Sequence, residues 1–261
     1  MKLFDCHLHS SLSFDSDEPM ENYVKQAVAD GDEYFITTEH ADLESHIYAG
    51  EDILADIDLQ QQTVADLNTR YPVKVLLSIE VGWRRSIHQR NMDIVKRYPF
   101  DMVILSIHET EEFDVAMPEY GHGRQIDDCY NEYLDCIINA IDAFDDFDTF
   151  AHVDYVLRYI GNTDLSKHRE KLTQIFTMLI ERGKALEINT RMISQPQGRQ
   201  GIEYIISLYT SLGGKKFTLG SDAHDVTKYK SGFEDAKALL KKYGISSVCL
   251  YIGRKEHYAG I

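Results

Sequence analysis

Short apolar, β-branched runs alternate along the chain with longer segments in which apolar residues recur every three or four positions, the pattern expected of βαβ units. Strands are predicted over residues 2–9, 33–38, 73–80, 102–108, 149–152, 185–189 and 217–221, and an additional run over 247–252 is expected to close or edge the same sheet. Helices are predicted over 19–30, 52–70, 87–98, 127–144, 166–182, 202–212 and 232–243. The first of these has Pro19 at its start and Gly31 just past its end, the expected punctuation. One helix after each strand, with short connections, points to an α/β fold, a barrel first and a doubly wound sheet second. No repeat or linker interrupts the pattern, so residues 1–261 are expected to form a single domain.

Composition narrows the function. A formal net charge of −16 argues against non-specific nucleic-acid binding, which needs clustered cations, and favours a small-molecule substrate. Part of that excess could be cancelled by bound divalent cations, because carboxylates gathered in one place repel unless something neutralises them; a solvated acidic surface accounts for most of it. The start of the chain carries no basic-then-apolar run of signal length, and no stretch approaches the roughly 18 apolar residues of a membrane span. A soluble, cytoplasmic protein with no membrane partner is expected. Cys6, Cys129, Cys136 and Cys249 show no CxxC spacing. On a helix, Cys129 and Cys136 would lie about 10 Å apart, too far for a disulfide, and reduced thiols fit a cytosol.

Candidate chemistry lies where the predicted strands end. The first ends in His7-Leu8-His9, the second runs into Glu39-His40, and the third ends in Glu80. The fourth ends in His108, the fifth in His152, and the seventh in Ser221-Asp222-Ala223-His224. A lone histidine at a strand end is most often structural. Side chains two apart in a strand, however, share a side at roughly 6.6 Å spacing, so His7 and His9 can converge on one cation, and Asp222 and His224 repeat the arrangement. In a closed barrel the last strand lies beside the first, and barrel active sites collect at this face. Glu80 supplies a carboxylate whose two oxygens can serve two ions. His46, His88, His168 and His257 lack such company and are assigned to the surface, whereas His122, in a long irregular segment after the fourth strand, is a candidate substrate contact.

Together the motifs His7-Leu8-His9, Thr38-Glu39-His40, Ile79-Glu80-Val81-Gly82, Ser106-Ile107-His108, Ala151-His152-Val153-Asp154, Glu187-Ile188-Asn189-Thr190 and Gly220-Ser221-Asp222-Ala223-His224 resemble the polymerase and histidinol phosphatase (PHP) domain family, in order and over nearly the whole chain. The resemblance implies a distorted (β/α)7 barrel, TIM-barrel-like, holding up to three divalent ions, typically zinc, manganese or iron. Carried over by position, it implies one ion on His7, His9, Glu80 and Asp222, a second on Glu80, His108 and His152, and a third on His40, His224 and Asp15. Many relatives place His where this chain has Asp15, and a carboxylate there shifts the site toward harder cations such as manganese. As a free-standing chain, the protein is most similar to family members that hydrolyse L-histidinol phosphate to L-histidinol and phosphate in histidine biosynthesis.

On that reading, two ions bridged by Glu80 would bring the pKa of a shared water from 15.7 toward roughly 7, and the resulting bridging hydroxide, held by Glu80, would be the nucleophile. His224 or Asp15 would protonate the leaving oxygen. Arg158 and Arg191 follow strand ends on the same face and are candidates for a bidentate phosphate clamp, the alternative being that each pairs with a surface carboxylate. The Trp83-Arg84-Arg85 cluster is expected to be solvated. Rival readings are a PHP phosphoesterase acting on nucleotides or nucleic-acid ends and a non-catalytic metal-binding module.

Overall fold

The structure, a computed structural model, describes residues 1–261. In chain order its elements are α1 (Met20–Ala29), β1 (Tyr34–Ser45), β2 (Glu51–Leu54), α2 (Ile57–Arg70), β3 (Lys74–Gly82), α3 (His88–Arg97), β4 (Met102–Ser106), α4 (Pro118–Gly121), α5 (Ile126–Ala143), β5 (Thr149–Phe150), α6 (Leu157–Ile160), α7 (Arg169–Glu181), β6 (Ala185–Asn189), α8 (Pro196–Ser211), β7 (Phe217–Gly220), α9 (Phe233–Lys242), β8 (Ser247–Ile252) and β9 (Lys255–Gly260). The main sheet runs in the order β2-β1-β3-β4-β5-β6-β7, parallel except for β2. No helix is long and apolar enough to cross a membrane.

Parallel strands covered on both faces read as unbroken apolar runs, and every residue of β4, β6 and β7 is buried. The helices cover the outer face with one apolar stripe each. In α5, residues Tyr130, Tyr133, Leu134, Ile137 and Ile141 recur at helical spacing into the core, while Asp127 and Asp128 lie in the first turn, where the helix dipole favours them. On the inner side the sheet curls: Thr149 Oγ1 of β5 lies 2.8 Å from Thr218 Oγ1 of β7, two strands away.

The predicted first strand, 2–9, is not a regular strand. Only Leu8 forms a β-bridge, to Ala223, yet the segment joins both edges of the sheet. Cys6 N donates to Leu219 O and His9 N to Ala223 O on one side, and Thr38 N donates to Leu8 O on the other, at 2.8–2.9 Å. The ladder fails because a side chain replaces the backbone acceptor: Leu8 N donates to Thr38 Oγ1 at 3.1 Å. The (β/α)7 barrel is thus distorted at this seam.

Three other expectations need correction. The second strand continues past residue 38 to Ser45 and folds back on β2, within the segment expected to begin a helix at 52. That helix starts later because Asp56 caps it, accepting from Leu59 N at 2.9 Å. The run at 247–252 neither closes nor edges the main sheet; it pairs with β9 through a turn in which Gly253 and Arg254 both have positive φ, the geometry that suits a two-residue hairpin.

Close packing at the seam generates a prediction. A Cβ on Gly220 would stand 2.4 Å from His7 Cβ, so Gly220→Ala must push β7 from the N-terminal segment. It is expected to destabilise the fold by about 1–3 kcal/mol, read as a lower urea midpoint; an unchanged midpoint would contradict the packing described.

Candidate active site

The N-terminal segment alternates sides: Cys6 and Leu8 enter the core, while His7 and His9 face the C-terminal mouth of the sheet. There they meet His40 from within β1, Glu80 from β3, His108 two residues past β4, His152 two past β5, and Asp222 and His224 just past β7. Asp15 arrives from the turn after the first segment. The sequence spacing therefore brings all nine candidate ligands to one place.

Glu80 is the hub. Its Oε1 lies 2.8 Å from His152 Nε2 and 3.2 Å from His108 Nε2, and its Oε2 lies 3.3 Å from His7 Nε2, 3.4 Å from His40 Nδ1 and 3.5 Å from His9 Nε2. Asp222 Oδ1 sits 3.6 Å from His9 Nε2. Asp15 Oδ2 is 2.8 Å from His224 Nε2 and 3.6 Å from His40 Nε2, and the His9 and His40 rings stack at 4.2 Å. Donor atoms fall into overlapping triads, each within 4.8 Å: His7-His9-Asp222, His7-Glu80-His152, His40-Glu80-His108 and His9-His40-His224. Shared members make this one continuous donor cluster.

Two features fit the cluster to divalent cations. His7 Nε2 and His9 Nε2 face each other at 3.2 Å, where at most one proton can stand between two basic nitrogens. The buried His40 Nδ1 has no hydrogen-bond partner although two carboxylates lie close to it. Imidazole and carboxylate donors in such a mixture suit ions of the zinc, manganese and iron type.

Electrostatics follow from the shared carboxylates. Burial disfavours the imidazolium of His7, yet Glu187 and Glu80 outweigh it and hold its pKa well above the usual value; Asp42 and Glu80 do the same for His108. Against the same burial penalty, Asp15 and Asp42 bring His40 up to about 10. His9 goes the other way, down to about 3, because burial and the neighbouring His40 disfavour its charge. Burial would raise Asp15, but its hydrogen bonds to His224 and His40 hold it well below the carboxylate range. Asp15 is thereby ionised and unsuited to donating a proton.

A second layer of carboxylates, with roles that sequence reasoning missed, orients the rings. Glu187 Oε2 meets His7 Nδ1 at 2.6 Å, and Asp42 meets His108 Nδ1 at 2.7 Å and His40 Nδ1 at 3.0 Å. Glu39 accepts from the Ser10 and Ser13 hydroxyls at 2.6 Å, and Ser13 Oγ is 3.3 Å from His9 Nδ1. Asp42 stands two residues past His40, so the period-two argument that paired His7 with His9 was the signal available for it. Asp42 passes close over β3 because residue 82 is glycine: a Cβ there would lie 1.7 Å from Asp42 Oδ1.

The cluster floors a cavity of about 200 Å³ whose wall includes both Arg158 and Arg191. Arg158 is half-buried and donates to Asp222 Oδ2 at 2.7 Å and Asn189 Oδ1 at 3.0 Å, with its guanidinium 5.0 Å over the Tyr155 ring. Arg191 reaches the Asp222 carbonyl and His224 Nδ1 at 3.3 and 3.2 Å. Neither pairs with a surface carboxylate. Asp222 adopts φ +55, a strained setting that an aspartate tolerates and that turns its carboxylate toward both arginines and His9. A larger cavity, about 560 Å³, lies behind Arg158 but contains none of these imidazoles.

Other expectations do not hold. His122 is exposed at the end of α4 and is not on the wall of this cavity. His168 is buried, bonded to Asn131 at 3.0 Å, and His46 is half-buried against Glu109, so neither is a surface group. Arg84 is buried rather than solvated, donating to the Leu43 and Glu44 carbonyls at 2.7 and 2.6 Å and pairing with Glu109. A local run of charge gives no hint of such distant partners.

Comparison with known proteins agrees with the geometry. The PHP domain family matches residues 5–191. The histidinol-phosphatase of Lactococcus lactis subsp. lactis (strain IL1403) is 31% identical over 262 residues, covering 98% of this chain and 96% of that protein. A crystal structure of histidinol phosphate phosphatase from Lactococcus lactis subsp. lactis Il1403, complexed with zinc, L-histidinol and phosphate, superposes with a TM-score of 0.91 at 30% identity, covering 98% of this chain and 99% of that one. A Listeria monocytogenes structure, 18% identical with a TM-score of 0.73 over 90% of this chain and 99% of its own, shares the fold.

Because His7, His40 and His108 hold protons at neutral pH in the absence of metal, loading a divalent ion must displace them. Metal uptake at pH 7 is expected to release protons, and affinity to strengthen as pH rises from 6 to 9. Calorimetry in buffers of different ionisation enthalpy checks both; buffer-independent heats would contradict the assignment.

Proposed function

The chain belongs to the PHP domain family, and on that premise we propose that it is a metal-dependent phosphomonoesterase that hydrolyses L-histidinol phosphate to L-histidinol and phosphate. The observation that carries this reading is the sharing of one carboxylate, Glu80, among five imidazoles in a chain that aligns end to end with a histidinol-phosphatase. Bound divalent ions would supply the Lewis acidity that makes hydroxide available near pH 7 and draws charge from the phosphoryl oxygens. In this proposal His7, His9, Glu80 and Asp222 hold one ion, Glu80, His108 and His152 a second, and His40, His224 and Asp15 a third; zinc, manganese and iron are the candidates.

The remaining roles belong to the protein's own side chains. Arg158 and Arg191 bind the phosphate, Arg158 pre-oriented by Asp222, Asn189 and the Tyr155 ring so that little side-chain entropy is lost on binding. Glu187 and Asp42 fix the tautomers of His7 and His108 by taking up their other ring nitrogens. With only the two positions around Glu80 filled, His224 is the group free to protonate the leaving oxygen, since Asp15 is already ionised. No serine or cysteine nucleophile is needed.

A panel of L-histidinol phosphate, nucleoside monophosphates and simple aryl phosphates tests the substrate: the first should give the highest kcat/KM, and preference for a nucleotide, or no turnover with full metal occupancy, would reject the reading. His7→Ala and Glu80→Ala should lose metal, measured by elemental analysis, and lower turnover by on the order of a thousandfold while the circular dichroism stays native. Arg158→Ala and Arg191→Ala should raise KM by roughly 10- to 100-fold, the worth of a charge-assisted hydrogen bond, and unchanged KM values would reject the phosphate clamp.

A further inference from the structure

Six carboxylates line the cavity above the histidine cluster: Asp15, Asp42, Glu80, Glu109, Asp114 and Asp222. Five of them face a partner that is or can become cationic. Asp15 meets His224 and His40, Asp42 meets His108 and His40, and Glu80 meets the histidine ring. Glu109 is taken by Arg84 and His46, and Asp222 by Arg158. Asp114 alone has no cationic side chain within 4.0 Å and belongs to none of the metal-competent triads. It is 6% exposed, and its side chain's only protein hydrogen bond is one oxygen accepting from Ala116 N at 2.7 Å. Burial with no cation beside it pushes the Asp114 carboxyl up to about 6, and a cation bound in the cavity would offset that cost.

The segment carrying Asp114 is held in place. Asp114 forms a β-bridge to Glu109, Val115 N donates to His108 O at 3.0 Å, and Thr110 N donates to Phe113 O at 2.7 Å. The carboxylate is therefore positioned before any ligand arrives. Around the same cavity, Phe14, Ile47 and Tyr159 are exposed apolar surfaces suited to the body of an organic group.

We propose that Asp114 is the specificity-determining residue that reads the alcohol portion of the substrate, by pairing with a cationic nitrogen, an ammonium or imidazolium, carried on the phosphorylated alcohol. Metals and arginines bind the phosphoryl end, which is common to all phosphomonoesters; Asp114 supplies the one unmatched negative charge that a neutral or anionic alcohol cannot satisfy. This assignment rests on the proposed phosphomonoesterase activity and deepens it.

The test compares kcat/KM for L-histidinol phosphate with that for a neutral phosphomonoester, p-nitrophenyl phosphate, in the metal-loaded protein. Wild type should prefer the cationic substrate. Asp114→Asn and Asp114→Ser both keep an acceptor for the Ala116 amide, and each should collapse that preference by 10-fold or more, chiefly through KM for the cationic ester. A preference kept within twofold in a folded variant would overturn the role of Asp114 while leaving the activity intact. Equal use of both esters by wild type, or no hydrolysis of either, would overturn the underlying substrate reading and this assignment together.

Discussion

Everything at the mouth of this sheet depends on one buried carboxylate being shared. Glu80 is 1% exposed, yet its two oxygens face five imidazoles delivered by four separate stretches of chain. Burial alone would raise its pKa, but the charges of His7 and His108 and the bonds from His108 and His152 hold it well below the usual range. Such a carboxylate cannot be left half-satisfied in the interior, so the surrounding rings are needed to keep it ionised, and they in turn need Glu187 and Asp42 to hold them in line.

The fold supplies this arrangement through parallel strands that all point the same way. β3 ends just past Glu80, β4 stops two residues before His108 and β5 two before His152, so parallel register converts distant sequence positions into neighbours. The irregular seam at residues 5–9 serves the same end. A regular strand would have had a backbone acceptor where Thr38 Oγ1 stands; the looser segment still bonds to both edges and brings His7 beside Glu187 and His9 beside Asp222.

Much of this was legible in the sequence because the informative positions are local. Buried parallel strands appear as continuous apolar runs, and His7-Leu8-His9 and Asp222-Ala223-His224 advertise side chains on one face. What was not legible depends on partners far along the chain. Arg158 reads as a phosphate ligand or a surface ion-pair former, and only the fold reveals that its carboxylate is Asp222, 64 residues on. Arg84 sits in a charged triplet that suggests solvent, whereas the Leu43 and Glu44 carbonyls and Glu109 draw it inside. The β1–β2 hairpin stayed hidden because β2 is largely exposed and carries little apolar periodicity. Asp114 has no motif; its significance lies in what is missing around it.

The most direct test of the account is the location of bound metal. Anomalous diffraction from crystals of the protein grown with zinc or manganese should place ions about 2.0–2.2 Å from the donor atoms of His7, His9, Glu80, His108 and His152, with Glu80 common to two of them. Ions found only at surface carboxylates, with Glu80 and its imidazoles bonded solely to one another, would contradict it.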